Sequence, residues 1–342
     1  MSAGWAPWIA FNLFLLCMLA FDLGVLHRRP RAVSLREAAA WSGVWVGLGL
    51  AFGAVVLLTL GKQAGLEYYT GYLIEKSLSV DNVFVFVLVF STFRVPREHQ
   101  HRVLFWGILG ALIMRGVLIG AGAYLIHRFH WILYVFGAIL LVTGLRMLFE
   151  RGTGGHAEPR VLALIRALQY RLPLTADYHG GRFLVRERER GGRSGRLVFT
   201  PLFLVLIAVE ASDLIFAVDS IPAIFGVTRD PFIVYTSNVF AVLGLRSLYF
   251  VLAGVIDKFH YLKLGLSIVL VWIGAKMLLL DVFHMPIVVS LGVVATVLAA
   301  SIGASLLFPK RAGEHSQHVS ETAEKTRASR KPEEDEVIPP IS

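Results

Sequence analysis

Runs of about twenty apolar residues recur along this chain. Each is long enough to cross a hydrocarbon core of roughly 30 Å as a helix, at 1.5 Å of rise per residue. Nine such spans are expected, near 7–26, 41–60, 71–92, 103–126, 131–149, 200–225, 232–256, 262–281 and 286–308. A soluble fold would have to bury all nine helices in one core. Composition argues against that: 56% of residues are hydrophobic and 17% charged, where soluble domains carry roughly 45–50% and about 25%. The expected class is an all-α polytopic membrane protein. The third and sixth spans contain charges, so hydropathy supports them less well. The first has no basic residue ahead of it and no small-residue cleavage site, so it reads as a retained helix rather than a signal peptide. The single cysteine, Cys17, lies in that run, excludes an internal disulfide and reads as a packing residue.

The net charge of +9 follows from topology and does not point to nucleic acid. Arg28, Arg29, Arg31 and Arg36 follow the first span, Arg94, Arg97 and Arg102 the third, and Lys258 and Lys263 the seventh. About ten arginines separate the fifth and sixth. The alternate loops hold only Lys62, Arg128 and Arg229. By the positive-inside rule the N-terminus is outside, and the long loop and the C-terminal tail are cytoplasmic. In the loop, residues 160–172 place Val161, Leu164, Ile165, Leu168 and Leu172 on one helical face. They suit an interfacial helix against anionic lipid headgroups. Residues 182–199 suit a small hairpin about Gly191-Gly192, or equally a solvated basic loop. Residues 309–342 are charged, poor in aromatics and expected to be disordered.

An internal repeat organises the membrane part. Asp81, Phe84, Phe93 and Arg97 match Asp213, Phe216, Phe225 and Arg229 at one offset. Phe129-His130-Trp131 then matches Phe259-His260-Tyr261, and Gly144, Arg146 and Met147 match Gly274, Lys276 and Met277. Arg115 and Arg246 fall at nearly equivalent places. Units of three helices cross the membrane in opposite senses, the inverted 3+3 layout of many secondary transporters, with the substrate site near the midplane between them. The expected organisation is two leading helices (1–70), a first repeat (71–150), a basic cytoplasmic loop (151–199), a second repeat (200–282), a last helix (283–308) and a tail (309–342).

The charged residues of the third and sixth spans are the candidate site. Glu75, Ser79 and Asn82 share one helix face at i, i+4 and i+7, and Asp81 points about 100° away from Asn82. Glu210 and Asp213 share a face at i, i+3. Pro222 removes an amide donor, and a helix break there would swing Asp219 and Ser220 inward. A buried aspartate costs about 2.5–3.5 kcal/mol on membrane-insertion scales, so five carboxylates in two spans need something to offset them. One answer is a structural salt-bridge network with Arg115, Arg246 and Lys76. The other is a cation site, favoured because carboxylates outnumber basic partners and oxygens of Ser79, Asn82, Ser212 and Ser220 are interleaved. No Cys, His or Met belongs to this set, so the ion is a hard one such as magnesium, calcium or manganese. Arg115 and Arg246 hold the acids ionised, act as tethered counter-charges when the site is empty, or lock the fold. Gly43, Gly47, Gly107, Gly110, Gly116, Gly120 and Gly122 permit close helix packing. No HExxH or serine nucleophile motif is present, so neither an enzyme nor a bound cofactor is expected.

The segments EKSLSVDN (75–82) and EASDLIFAVDSIPA (210–223) resemble the TerC family of integral membrane proteins, in particular the branch with the Alx-type manganese exporters. The resemblance spans about 5–308. It implies a fold related to the LysE-type transporters, a bacterial inner-membrane location and manganese efflux. It also implies Glu75, Asp81, Asn82, Glu210, Asp213 and Asp219 as metal ligands, with Ser79, Ser220, Arg115 and Arg246 in support. The alternative is a membrane scaffold or assembly factor that docks partners through its loop and tail, its acids being structural.

Overall fold

Inside a bilayer every backbone polar group must be satisfied within the chain, and a helix does this segment by segment. The computed structural model describes residues 5–26 (side chains to 20), 34–149, 167, 173–175, 177–187, 196–253, 261–282 and 285–307. They form α1 (Trp5–Leu26), α2 (Leu35–Leu60), α3 (Lys62–Thr92), α4 (Arg97–Arg128) and α5 (Ile132–Phe149). A short hairpin follows, β1 (Leu184–Glu187) and β2 (Arg196–Phe199). Then come α6 (Pro201–Phe225), α7 (Pro231–Leu243), α8 (Leu245–Leu252), α9 (Leu262–Leu278) and α10 (Ile287–Leu307). Helices α2, α4, α5, α6 and α10 are individually long and apolar enough to span a membrane, and α7 with α8 makes a sixth candidate. The protein is therefore polytopic. Helix α3 carries Glu75, Lys76 and Asp81, and α9 has 17 residues, so hydropathy and length alone do not assign these two.

Local signals explain several boundaries. The Ser34 hydroxyl accepts the Glu37 amide at 3.3 Å and caps α2. Asp230 accepts the Phe232 amide at 2.9 Å, with Pro231 at the first position of α7. Pro201 opens α6 in the same way. The break expected at Pro222 does not occur, and α6 continues through it to Phe225. Only three residues of helix follow the proline, and the chain leaves the helix at Gly226. A bend of 41° occurs instead between α7 and α8, at Gly244. A Cβ on Gly244 would lie 2.6 Å from Nζ of Lys76, and that ammonium donates to the Ala241 carbonyl at the bend, at 3.3 Å.

Helix α3 is the hub, packed against α2, α6, α7 and α10, while α4 lies against α6 and α7. Aromatic rings hold α1 and α2 to this centre: Phe52 lies 5.3 Å from Phe11 and 4.9 Å from Phe240. Helices α5 and α9 pack along each other at glycine distance. A Cβ on Gly274 would sit 2.6 Å from the Leu141 amide nitrogen, and one on Gly144 2.8 Å from that of Val271. Of the glycines expected to allow close packing, Gly107, Gly110 and Gly122 do so, whereas Gly43, Gly47 and Gly120 face open space. Large apolar side chains such as Leu58, Ile113, Val117 and Val142 point outward, as a lipid-facing surface requires.

The hairpin strands pair antiparallel, Leu184 with Phe199 through Glu187 with Arg196. They sit beneath the α3–α4 turn. Tyr178 donates to the Phe93 carbonyl, and the Arg102 guanidinium lies 5.4 Å over the Phe183 ring. The expected Gly191-Gly192 turn and the tail 309–342 lie outside the described residues. So do Phe259-His260 and, apart from residue 167, the expected interfacial helix.

Gly274→Val places a side chain against backbone that cannot yield. It is expected to destabilise the fold by about 1–3 kcal/mol, read as a lower thermal midpoint in detergent, while Gly43→Ala leaves that midpoint unchanged.

Candidate functional site

Four helices meet at one buried ion cluster near their midpoints. Glu75 of α3, Asp213 of α6 and Arg115 of α4 are 1%, 2% and 1% exposed. The Arg115 guanidinium forks onto Asp213, Nε to Oδ2 at 2.9 Å and Nη2 to Oδ1 at 2.7 Å. This is the bidentate geometry that suits a planar cation and a carboxylate. Its Nη1 donates to Glu75 Oε1 and, at 3.2 Å, to Asn238 Oδ1 of α7. Asn238 Nδ2 donates to the second Glu75 oxygen at 3.0 Å, and Asn82 Nδ2 donates to Asp213 Oδ1 at 3.2 Å. Two carboxylates thus share one guanidinium, and two amides fill the remaining acceptor positions.

The cluster also contains oxygens with nothing to hold. Asn82 Oδ1 and Ser79 Oγ are buried with no hydrogen-bond partner among the described residues. Both lie on the α3 face that carries Glu75, as the i, i+4, i+7 spacing requires. Ser220 Oγ on α6 is buried in the same condition. A buried acceptor without a partner forfeits about 1–3 kcal/mol, so such atoms call for an explanation.

The six residues expected as ligands lie in four places. Glu75, Asn82 and Asp213 meet at the centre. Glu210, one turn earlier on α6, adjoins Asp213 electrostatically and lays its carboxylate against Gly110 of α4, at a spot a Cβ would occupy. Asp81 instead interacts electrostatically with Lys263 of α9. Asp219 accepts from the Thr143 hydroxyl of α5 at 3.2 Å. Among the described residues, no three His, Cys, Asp or Glu side chains are grouped closely enough to cage a metal ion. Arg115 fills the central position. Arg246 is buried at the start of α8, just beyond the bend.

Sequence reasoning missed Asn238. The signal was available: Thr236-Ser237-Asn238 is a polar triplet inside the apolar run FIVYTSNVFAVL, and all three are fully buried. An amide in such a run needs a partner, and Glu75 is that partner.

Comparison with known proteins agrees with this architecture. Residues 60–313 match the family described as integral membrane protein TerC family. The chain belongs to the TerC family. Among its relatives is an "Uncharacterized membrane protein STKORF319" of Myxococcus xanthus, 52% identical over 305 residues, 89% of this chain and 93% of that protein. Another is the "Putative membrane-bound redox modulator Alx" of Escherichia coli strain K12, 50% identical over 302 residues, 85% of this chain and 91% of that one. A protein of the same name from Photorhabdus laumondii is 47% identical over 304 residues, 86% and 92% of the two chains. These names agree with the Alx-type branch of the TerC family. No solved structure matches.

Removing Arg115 strands two buried carboxylates. Arg115→Met is expected to cost about 3–5 kcal/mol, and Glu75→Gln in the same chain should recover at least about 1 kcal/mol. Unfolding in detergent measures both. Asn238→Ala leaves one Glu75 oxygen without its amide donor and is expected to cost about 1–3 kcal/mol in the same assay.

Proposed function

We propose that this TerC-family protein exports a hard divalent metal ion, manganese foremost, from the bacterial cytoplasm by alternating access at the central acids. The observation that carries this reading is the pair of partnerless buried oxygens, Ser79 Oγ and Asn82 Oδ1, on the α3 face that carries Glu75, with Asn82 bonded to Asp213. All are oxygen donors, and among the described residues the centre holds no imidazole or sulfur, which suits a hard ion over copper or zinc. Manganese and the outward direction come from the family resemblance. Arg115 is the tethered counter-charge of the empty site. Its guanidinium offsets the two carboxylates until a metal ion replaces it.

The helix packing supports the transporter layout. Helix α3 rests on α7 as α6 rests on α4, and α5 pairs with α9. Exchanging α3-α4-α5 for α6-(α7/α8)-α9 maps the α3–α7 contact onto α6–α4 and the α5–α9 contact onto itself, which is in keeping with an inverted repeat. In this reading nine spans cross the inner membrane, with the N-terminus outside. The hairpin, the basic loop and the tail are cytoplasmic, the loop lying near anionic headgroups. Asp81, Glu210 and Asp219 serve as ligands or proton acceptors in the steps between the two facings. No catalytic role and no resident cofactor belong to it.

A structural reading has one observation in its favour. The Arg115 cluster ties four helices together and would do so without any ion. It fits a scaffold whose loop and tail dock other membrane proteins. A dithiol redox role, prompted by the relatives' printed name, finds only Cys17 in this sequence.

Titration of manganese and magnesium into the purified protein separates the readings. Wild type is expected to bind manganese over magnesium, and Glu75→Gln and Asp213→Asn to weaken that binding at least tenfold, about 1.4 kcal/mol. Equal binding by all three folded proteins, or none by any, would overturn the metal reading and leave the acids structural.

A further inference from the structure

The central cluster is not enclosed equally at its two ends. Helix α3 ends, α4 begins and α6 begins on the side that carries the hairpin. The opposite end of the bundle is shut. Thr228, after α6, donates to Glu67 of α3, whose other carboxylate oxygen accepts from Gln63 at 2.7 Å. Gly71 of α3 is pressed so close to α7 that a Cβ would lie 2.9 Å from the Ser237 hydroxyl. Ile119, Ile224 and Val234 are fully buried around it.

On the hairpin side a small apolar cavity adjoins the cluster. Asp213 forms part of its wall, with Phe86 of α3, Leu104, Gly107 and Ala111 of α4, and Leu245 of α8. It has room for about one water molecule. Every α4 residue in the wall precedes Arg115, so the space lies between the cluster and the hairpin end. Along the same stretch α4 presents its smallest residues. A Cβ on Gly107 would lie 2.9 Å from Val209 Cγ1, and one on Gly110 would lie 2.7 Å from Glu210 Oε2. Glu210 therefore reaches α4 one turn nearer the hairpin than Asp213, and it does so only because residue 110 has no side chain.

We infer that the ion passes between the hairpin side and the central acids along the Gly107–Gly110–Ala111 face of α4, with Glu210 as the carboxylate it meets before Asp213. This rests on the metal-transport reading above and gives that site its route. The chemistry fits the two jobs involved. Apolar walls at Phe86, Leu104 and Leu245 keep the passage dry while it is narrow, a barrier of the kind that gates by dewetting. Glu210 packs against Gly110 outside the cavity wall, one turn before Asp213, and a single carboxylate there attracts a cation without trapping it as three or four would. Small residues on α4 let α4 and α6 separate or close by small displacements, which a larger side chain would prevent. Packing is close between the cluster and Glu67, while the hairpin side retains this small cavity.

The test uses full-length protein in proteoliposomes loaded with a manganese-quenched dye, together with manganese titration of each variant. Gly110→Ala is expected to slow manganese flux at least tenfold while leaving manganese affinity within about threefold, since Glu75, Asp213 and Asn82 are untouched. Gly107→Ala should slow it in the same direction. Gly120→Ala, on the same helix beyond Arg115 and facing open space, should match wild type. Wild-type flux in both Gly110→Ala and Gly107→Ala would overturn the route. Accessibility gives an arm that needs neither folding of the glycine variants nor metal binding. In a Cys17→Ala background, Leu245→Cys is treated with a small cationic, membrane-impermeant thiol reagent, and exposed Arg186→Cys of the hairpin marks the side. Labelling of position 245 from the side that labels position 186 supports the route. Labelling only from the other side, or none, overturns it. Absence of manganese binding by wild type would sink the metal reading by itself, whereas labelling from the wrong side sinks only the route.

Discussion

A guanidinium shared by two carboxylates in a low-dielectric interior is the constraint around which the rest of this structure is arranged. Each of these charges alone would be costly at the depth of a membrane. Together, Glu75, Arg115 and Asp213 form a unit whose hydrogen bonds are oriented and nearly complete, and two asparagines complete most of what remains. Because the three charges come from α3, α4 and α6, and Asn238 from α7, satisfying the cluster fixes the relative depth and rotation of all four helices. Apolar packing alone would not do this, since a helix sliding by a turn exchanges one leucine for another at small cost.

The same cluster offsets its charge without help from outside the protein. Oxygen-rich cavities in a membrane either hold a cation or carry an uncompensated charge. A tethered guanidinium offsets the charge of both carboxylates from within the protein. The cost of that arrangement appears in atoms that the guanidinium does not reach, Ser79 Oγ and Asn82 Oδ1. A planar fork directs its donors at two carboxylates, whereas a spherical ion accepts oxygens from every direction.

Packing at glycine distance governs the remaining freedom. Between α5 and α9 the close approach is backbone to backbone, so that pair behaves as one rigid element. Between α4 and α6 the approach is backbone to the Glu210 side chain, which can move. The rigid contact lies away from the central acids and the adaptable one beside them, the distribution a carrier needs if the site is to change its facing while the frame keeps its shape.

Much of this was legible in the amino-acid sequence, and the boundary has a physical basis. The hydrocarbon core imposes length and polarity on each segment independently, so helical class and polytopy followed from runs of residues. Helical periodicity is likewise local, so the shared face of Glu75, Ser79 and Asn82 could be read from spacing. The local pattern misled at Pro222, which lies near a helix end and does not break it, while the bend arose at Gly244 beside Lys76. Spacing was silent on Asn238, whose importance depends on a partner 163 positions away. By itself the sequence determined that this is a helical membrane protein with acids at mid-helix, because the bilayer and the 3.6-residue turn act on neighbours in the chain. Only the tertiary structure decided which acids share Arg115, which turn instead toward α5 and α9, and which end of the cluster is shut, because the pairing of buried charges depends on which helices come into contact.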